Sequence, residues 1–459
     1  MDEQTKKLQG ERYKLFNDFY NNIIPERMPV QGNICLGYVA GYAKQSLIDV
    51  QYDYSLIKDA FAELCDLTYS DTVPMFGGAD SAMYNQSLGS QVYKMGKSGF
   101  LQHPNAVAMY QDEYDLFIKD PMAAIVETFI PRIYTQLNPE NPYNLMKAYY
   151  IAKKAEEKDM NAFMQAAGPV IDKKGWYMGS PRGSRGHSLA PMDFIADQLR
   201  SMSEISKDVR RCPEKIVEAC DAIYPYIFAL QTPTNPHPEG AVSTPLHMPT
   251  YMREKDFVNI WLPSYKRLLE EWASIGVRVS AFMETDWDRY YDIVLDAFPA
   301  GTQLRFETGD PQKIKDKLGK KFIIGQLYPL DYITNGTPER AVDKAKELLD
   351  IMLPGGGFMF GFGKYPIVYE DVKLDNYIAV MDFVRDYAVY KDEAGQKYGT
   401  PLNSEGFKFD LTNSKTIKSK YSFDWEKYLE ENPYTPEHER PFLESMEKEI
   451  MNFYLTLFD

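Results

Sequence analysis

Cysteine is scarce: the 459 residues hold four, Cys35, Cys65, Cys212 and Cys220, and no CxxC pair. So few thiols in so long a chain exclude a disulfide framework, and zinc held by those four is not expected. They read as reduced thiols of a cytoplasmic protein. Long apolar runs are also missing. No stretch approaches the roughly 18 apolar residues that a membrane-spanning helix needs. The opening Met1-Asp2-Glu3-Gln4-Thr5-Lys6-Lys7 is charged and lacks the apolar centre of a secretion signal. Excess positive charge is absent too. Against 66 Asp and Glu stand 51 Lys and Arg, for a net charge of −15. Nucleic acid and anionic membrane surfaces are therefore not expected partners, because phosphates are held by clustered Lys and Arg. No G-x-G-x-x-G follows a strand, and no Walker A, H-E-x-x-H or G-x-S-x-G sequence occurs, which weakens nucleotide-binding, zinc-peptidase and α/β-hydrolase readings.

What is present is an ordinary globular balance, 44% hydrophobic and 25% charged residues, enriched in tyrosine at 34. Tyrosine joins an apolar body to a polar tip and suits wet pockets as well as cores. The length fits one large barrel with additions, or two domains.

The second half shows a repeated alternation. Residues 240–248 read as a strand and 253–274 as an amphipathic helix, with Phe257, Ile260, Trp261, Tyr265, Leu268, Leu269 and Trp272 at helical spacing. Strand 277–283 and helix 286–298 follow, then strand 302–306 and helix 311–318, capped by Asp310 with Pro311 at its first position. Strand 321–325, a helix capped by Thr337, strand 358–360 and helix 376–389 complete the series. Such alternation predicts parallel strands with helices outside. In the first half, 32–39 and 71–76 are candidate strands, 44–66 and 112–129 candidate helices, and 161–190 reads as loop. The expected fold is α/β, a (β/α)8 TIM barrel over residues 1–390 with an N-terminal extension, followed by a C-terminal appendage, 391–459.

In a barrel of this kind, reactive groups sit where strands end. That rule selects His247, Glu284, Glu307, Gln326, Tyr328 and Lys364 without reference to any motif. An imidazole, two carboxylates, an amide, a phenol and an amine at one rim suit proton transfer, a hard or borderline metal, or a polar substrate. Glu284, His247, Tyr328 and Lys364 are the candidate catalytic groups. Gln326 and Glu307 are candidate substrate-binding groups, with Arg182 and Arg185 as anion grips in the loop 179–186. Several also have a bland reading: helix caps for the glutamates, a satisfied buried imidazole for His247, solvated cations for Lys364, Arg182 and Arg185. His103, His237 and His438 carry no motif and read as surface residues.

Several segments resemble one superfamily. Tyr328-Pro329-Leu330-Asp331-Tyr332-Ile333-Thr334-Asn335-Gly336-Thr337-Pro338-Glu339, Gly355-Gly356-Gly357-Phe358-Met359-Phe360 and Leu374-Asp375-Asn376-Tyr377-Ile378-Ala379 are similar to successive motifs of the uroporphyrinogen decarboxylase superfamily. The stretches 111–121 with Pro131-Arg132, and 191–200, resemble its branch of first methyltransferases of anaerobic O-demethylase systems. The resemblance spans roughly residues 15–390. It implies a (β/α)8 barrel that moves a methyl group from a small methylated or halogenated donor to the cobalt of a corrinoid carried by a partner protein; self-association is left open.

In several members of that branch a zinc ion, held by an acidic residue or histidine with two cysteines, activates the leaving group. Glu284 aligns with the acidic position, and Glu284 with His247 would be the metal ligands here. The cysteine positions fall near Phe322 and near Phe362 or Lys364, and no cysteine follows Cys220. Zinc would matter least for donors with good leaving groups, such as quaternary amines and halomethanes. The tetrapyrrole decarboxylase itself grips carboxylates with basic residues at the barrel's start, and Gly32–Tyr42 has no arginine. A decarboxylase or other lyase, and a non-catalytic binding protein on the same barrel, are the alternatives.

Overall fold

The computed structural model describes residues 2–76, 82–402, 406 and 408–457. It is a mixed α/β structure organised around parallel strands: β1 (Ile34–Cys35), β2 (Met75–Phe76), β3 (Arg185–His187), β4 (Ala241–Leu246), β5 (Val279–Met283), β6 (Gln303–Phe306), β7 (Ile323–Tyr328) and β8 (Phe358–Phe362). Strands β3 to β8 form one six-stranded sheet in which spatial order follows chain order. Every pairing in it is parallel. Parallel neighbours need a crossover between them, which a helix supplies. Strands β1 and β2 pair in parallel as well. Isolated parallel bridges join Val30 to Phe360 of β8 and Thr72 to Tyr177.

The helices used below are α1 (Glu3–Tyr20), α2 (Pro142–Lys174), α3 (Pro213–Gln231), α4 (Leu262–Ser274), α5 (Tyr291–Ala297), α6 (Pro311–Leu318), α7 (Pro338–Met352) and α8 (Leu374–Tyr387). Their starts follow local chemistry. Asp310 accepts from Lys313 N at 3.1 Å to cap α6, and Thr337 caps α7 with Pro338 at its first position. The second-half strands and helices fall where the periodicity puts them, with one notable extension. Strand β7 runs on to Tyr328, beyond the predicted end at 325.

Strand alternation divides two environments. In β4, Val242, Thr244 and Leu246 are buried while Ala241, Ser243 and Pro245 are partly open. The buried set packs under the helices, where Phe257 stacks on Tyr290 at 4.3 Å and meets Trp287 edge-on at 6.1 Å. Each such aromatic pair adds about 0.5–1.5 kcal/mol beyond its buried area. The partly open set faces the opposite, concave side.

The first half departs further from expectation. Residues 161–174 are not loop but the end of the 33-residue helix α2. Gly168 and Pro169 are poor helix residues, yet Ala148, Ala152, Ala155, Ala166, Ala167 and Val170 supply a buried small-residue face, and tertiary packing overrides local propensity. Gly175 then closes α2 in a left-handed conformation, φ 59°. The stretch 32–39 holds only the two-residue β1 before turning helical at Leu36, and 112–129 is helical with a break at Asp120-Pro121.

The strands' N-terminal ends are closed by saturated polar contacts. Fully buried Arg278 donates to the carbonyls of Pro238 at 2.9 Å and Tyr20 at 2.8 Å, and also to that of Gly301. Buried Asp71 accepts both guanidinium nitrogens of Arg27 at 2.6 and 2.7 Å, Arg12 Nε at 3.2 Å and Tyr69 OH at 2.8 Å. These bonds fasten α1 beneath the sheet. Part of the chain beyond residue 390 packs on α3 and α4: Tyr226 OH donates to Lys418 O at 3.2 Å, and Arg267 to Ser414 Oγ at 2.8 Å.

Candidate active site

Four of the predicted groups meet where β4, β5, β6 and β8 end. His247 follows β4, Glu284 follows β5, Glu307 follows β6 and Lys364 lies two residues beyond β8. His247 Nε2 is 3.3 Å from Glu284 Oε1, and Lys364 Nζ is 2.8 Å from Glu307 Oε1. On its other edge His247 presents Nδ1 to Asp197 Oδ2 at 2.5 Å. Two paired sets, Asp197–His247–Glu284 and Lys364–Glu307, lie along this rim.

Local backbone holds it in place. Trp287 Nε1 donates to the carbonyl of Glu284 at 2.8 Å, and Thr285 N donates to Glu307 Oε2 at 3.1 Å. Thr285 does so from a left-handed conformation, φ 58°. Gln326 and Leu327 are left-handed as well, at 69° and 73°, inside the end of β7. Such conformations cost roughly 1–3 kcal/mol each for residues with side chains, and they concentrate at functional sites. A Cβ at Gly363 would lie 2.1 Å from Glu307 O. Glycine there lets β8 pass close enough for Lys364 to reach the carboxylate.

Electrostatics distinguish the members. Burial opposes charge on His247, but the hydrogen bond and charge of Asp197, with Asp193 and Glu284, outweigh it and raise the imidazole to about 9. It is therefore a cation at neutral pH. Burial, opposed by His247 and assisted by Glu307 and Asp197, pushes Glu284 upward. Asp193, fully enclosed, is raised by burial to about 7 while accepting Met248 N at 2.9 Å and Trp261 Nε1 at 3.1 Å. The Lys364–Glu307 pair, with the lysine side chain 65% exposed, contributes about 0–1 kcal/mol to stability. Its consequence is orientation.

Two predicted residues are placed elsewhere. Tyr328 is buried on the helix side, donating to Ala341 O of α7 at 2.9 Å. Its parity along β7 turns it away from the concave face, and it cannot orient a group at the rim. Arg182 lies near the strands' opposite ends, bound to Glu239 just before β4. Its charge is spent on a buried carboxylate. Gln326 is buried, donates to Tyr365 OH at 3.2 Å, and leaves Oε1 without a partner. Arg185 opens onto the concave interior and lies over the Tyr177 ring at 5.4 Å.

Sequence reasoning missed Asp193 and Asp197, four residues apart on the helical turn after β3. The rule of strand ends would have found them, but β3 lay inside a stretch read as loop. The sequence reading weighs His187, in β3, only beside the loop arginines as a possible anion grip, and reads His103 as a surface residue. Burial lowers both imidazoles. Arg305 and His247 lower His187 further, while at His103 Asp197 opposes the shift. His103, stacked on Tyr93 at 5.0 Å, is exposed, as expected of a surface residue, and feels the charges of Asp197 and His247.

The donors do not fit a metal. Among the described residues no group of three or more His, Cys, Asp or Glu is disposed to hold an ion. His247 and Glu284 face one another as an ion pair, with no third ligand converging on them. Cys35 ends β1, but burial, with Asp371 adding, raises its thiol to about 11, far from the thiolate that ligation needs.

No protein-family model matches the chain, and no curated protein matches its sequence. Among solved structures it is similar to a methyltransferase from Methanosarcina mazei, at TM-score 0.50 and 14% identity over 82% of this chain and 98% of that one. At that identity the likeness is one of fold. No helix among the described residues is long and apolar enough to cross a membrane.

Proposed function

We propose that the chain is a methyltransferase built on a (β/α)8 barrel of the uroporphyrinogen decarboxylase type, moving a methyl group from a small donor to a corrinoid presented by a partner protein. The barrel reading is supported by the bridges that continue the six-stranded sheet from β8 through Val30 to β1, β2 and Tyr177. The fold shared with the Methanosarcina mazei methyltransferase points the same way.

The observation that carries the function is the cationic His247 held between Asp197 and Glu284 at the strands' ends. As a methyl group departs, the leaving oxygen or sulfur gains negative charge. An imidazolium with a proton on Nε2 neutralises that charge by transferring the proton to the leaving atom. Asp197 orients the ring and keeps it charged at neutral pH, so that the proton is in place for general-acid transfer. Glu284, its own affinity for protons raised, afterwards takes a proton from water and passes it to Nε2. The corrinoid would supply the nucleophile that receives the methyl group. This proton donor does at the leaving atom what a Lewis-acid metal does in related sites.

The test is anaerobic methyl transfer to cob(I)alamin, or to a cognate corrinoid protein, from methyl ethers, thioethers, quaternary amines and halomethanes. The expected result is the methylcobalamin absorbance change with at least one donor. No change across the panel overturns the proposal.

A further inference from the structure

The concave interior beneath the rim contains a cavity of about 220 Å³. It reaches from Tyr365, beyond the end of β8, to Phe16 and Tyr20 of α1 and to Glu239, before the start of β4. Arg305 of β6 lies on its wall. The guanidinium extends toward the strands' beginnings, donating from one terminal nitrogen to Ser243 Oγ at 2.9 Å and Ser280 O at 3.3 Å. It passes the Phe282 ring at 5.5 Å. No carboxylate among the described residues pairs with it. The carboxylate in the cavity wall, Glu239, is occupied by Arg182, Ser180 and Asn21. Two enclosed donors next to the cavity have no acceptor, Arg305 Nε and Nε2 of the 98%-buried Gln303, whose other amide atom accepts from Ser280. Arg185 adds a second guanidinium, and His187 of the same strand feels Arg305's charge.

An interior cation with no counter-ion and with unsatisfied donors beside it is costly unless an acceptor arrives. We propose that this cavity is a subsite for a carboxylate, held by Arg305 and Gln303 with Arg185 nearby, and that the methyl donor carries this anionic group at the end remote from its methyl. The substrate assignment rests on the methyltransferase reading; the subsite does not. Depth fixes the shape of the donor. Ser243 of β4, which marks the guanidinium's level, precedes His247, just past the strand's end, by four residues. That separation is roughly 13 Å along a strand, so the donor binds end-on, anion inward.

The experiment is calorimetric titration of the full chain with butanoate and hexanoate, each against its neutral isostere, butanamide or hexanamide. The carboxylates are expected to bind at least tenfold more tightly than the amides. Arg305→Gln should erase that preference. His247→Gln, at a residue that does not line the cavity, should leave it within threefold. Equal binding of acid and amide by the wild-type chain overturns the subsite without recourse to any variant. So does a preference that survives Arg305→Gln in protein of unaltered thermal stability. A carboxylate preference alongside failed methyl transfer retains the subsite and overturns only the reaction.

Discussion

The two ends of the parallel strands use the same residue types to opposite effect. At the beginnings, Arg278, Arg12 and Arg27 are saturated by carbonyls and by Asp71. At the finishes, Asp197, His247, Glu284, Lys364 and Glu307 are paired among themselves, and His247 and Glu284 keep raised proton affinities beside strained neighbours. Complete pairing serves cohesion. Incomplete pairing leaves groups able to exchange protons, which is why shifted titrations gather at sites of chemistry.

The largest expected effect belongs to the saturated end. Arg278→Ala leaves three carbonyls without a donor and opens a void, so a loss of about 3–5 kcal/mol is expected in denaturant unfolding. A loss below about 1 kcal/mol would mean that α1 is not fastened by that side chain. At the other end, His247→Gln should lower methyl transfer by about a hundredfold or more, near 2.7 kcal/mol in barrier, with little change in unfolding. An equal fall in stability would make His247 a structural residue.

Asp197→Asn tests what holds the charge on His247. The imidazole's value is about 9 when folded and about 6.5 in an unfolded chain. Because the folded value is the higher, its contribution to stability is complete below about 6.5 and disappears as pH rises through about 9. In the variant that decline should flatten, and the alkaline limb of the activity profile should move to lower pH. An unmoved limb would assign it to another group. The smallest effect is expected at Tyr328→Phe. Loss of its bond to Ala341 O should cost about 1 kcal/mol of stability and leave turnover within twofold. A larger fall in turnover would return Tyr328 to the site.

The rhythm of apolar runs and helical faces from residue 240 onward specified strands, helices and the rim positions of His247, Glu284, Glu307 and Lys364. These depend on local periodicity and on the rule that reactive groups follow strand ends. The same reasoning placed Tyr328 with them, because it took β7 to end at 325. The strand runs three residues further, and Tyr328, its last residue, packs on the helix side against α7. It overlooked Asp193 and Asp197, because a three-residue strand amid glycine, serine and arginine has no period to detect.

By itself, then, the sequence determined the alternation of elements, the lack of an apolar run long enough for a membrane-spanning helix and the residues that end four strands, all of which are local in origin. Only tertiary structure decided that Asp197 meets His247 across 50 residues of chain, that Arg182 is consumed by Glu239, and that Arg305 faces a cavity with no counter-ion. Burial, partner distance and the side of a strand are properties of the assembled fold, and they set proton affinity and charge compensation at this site.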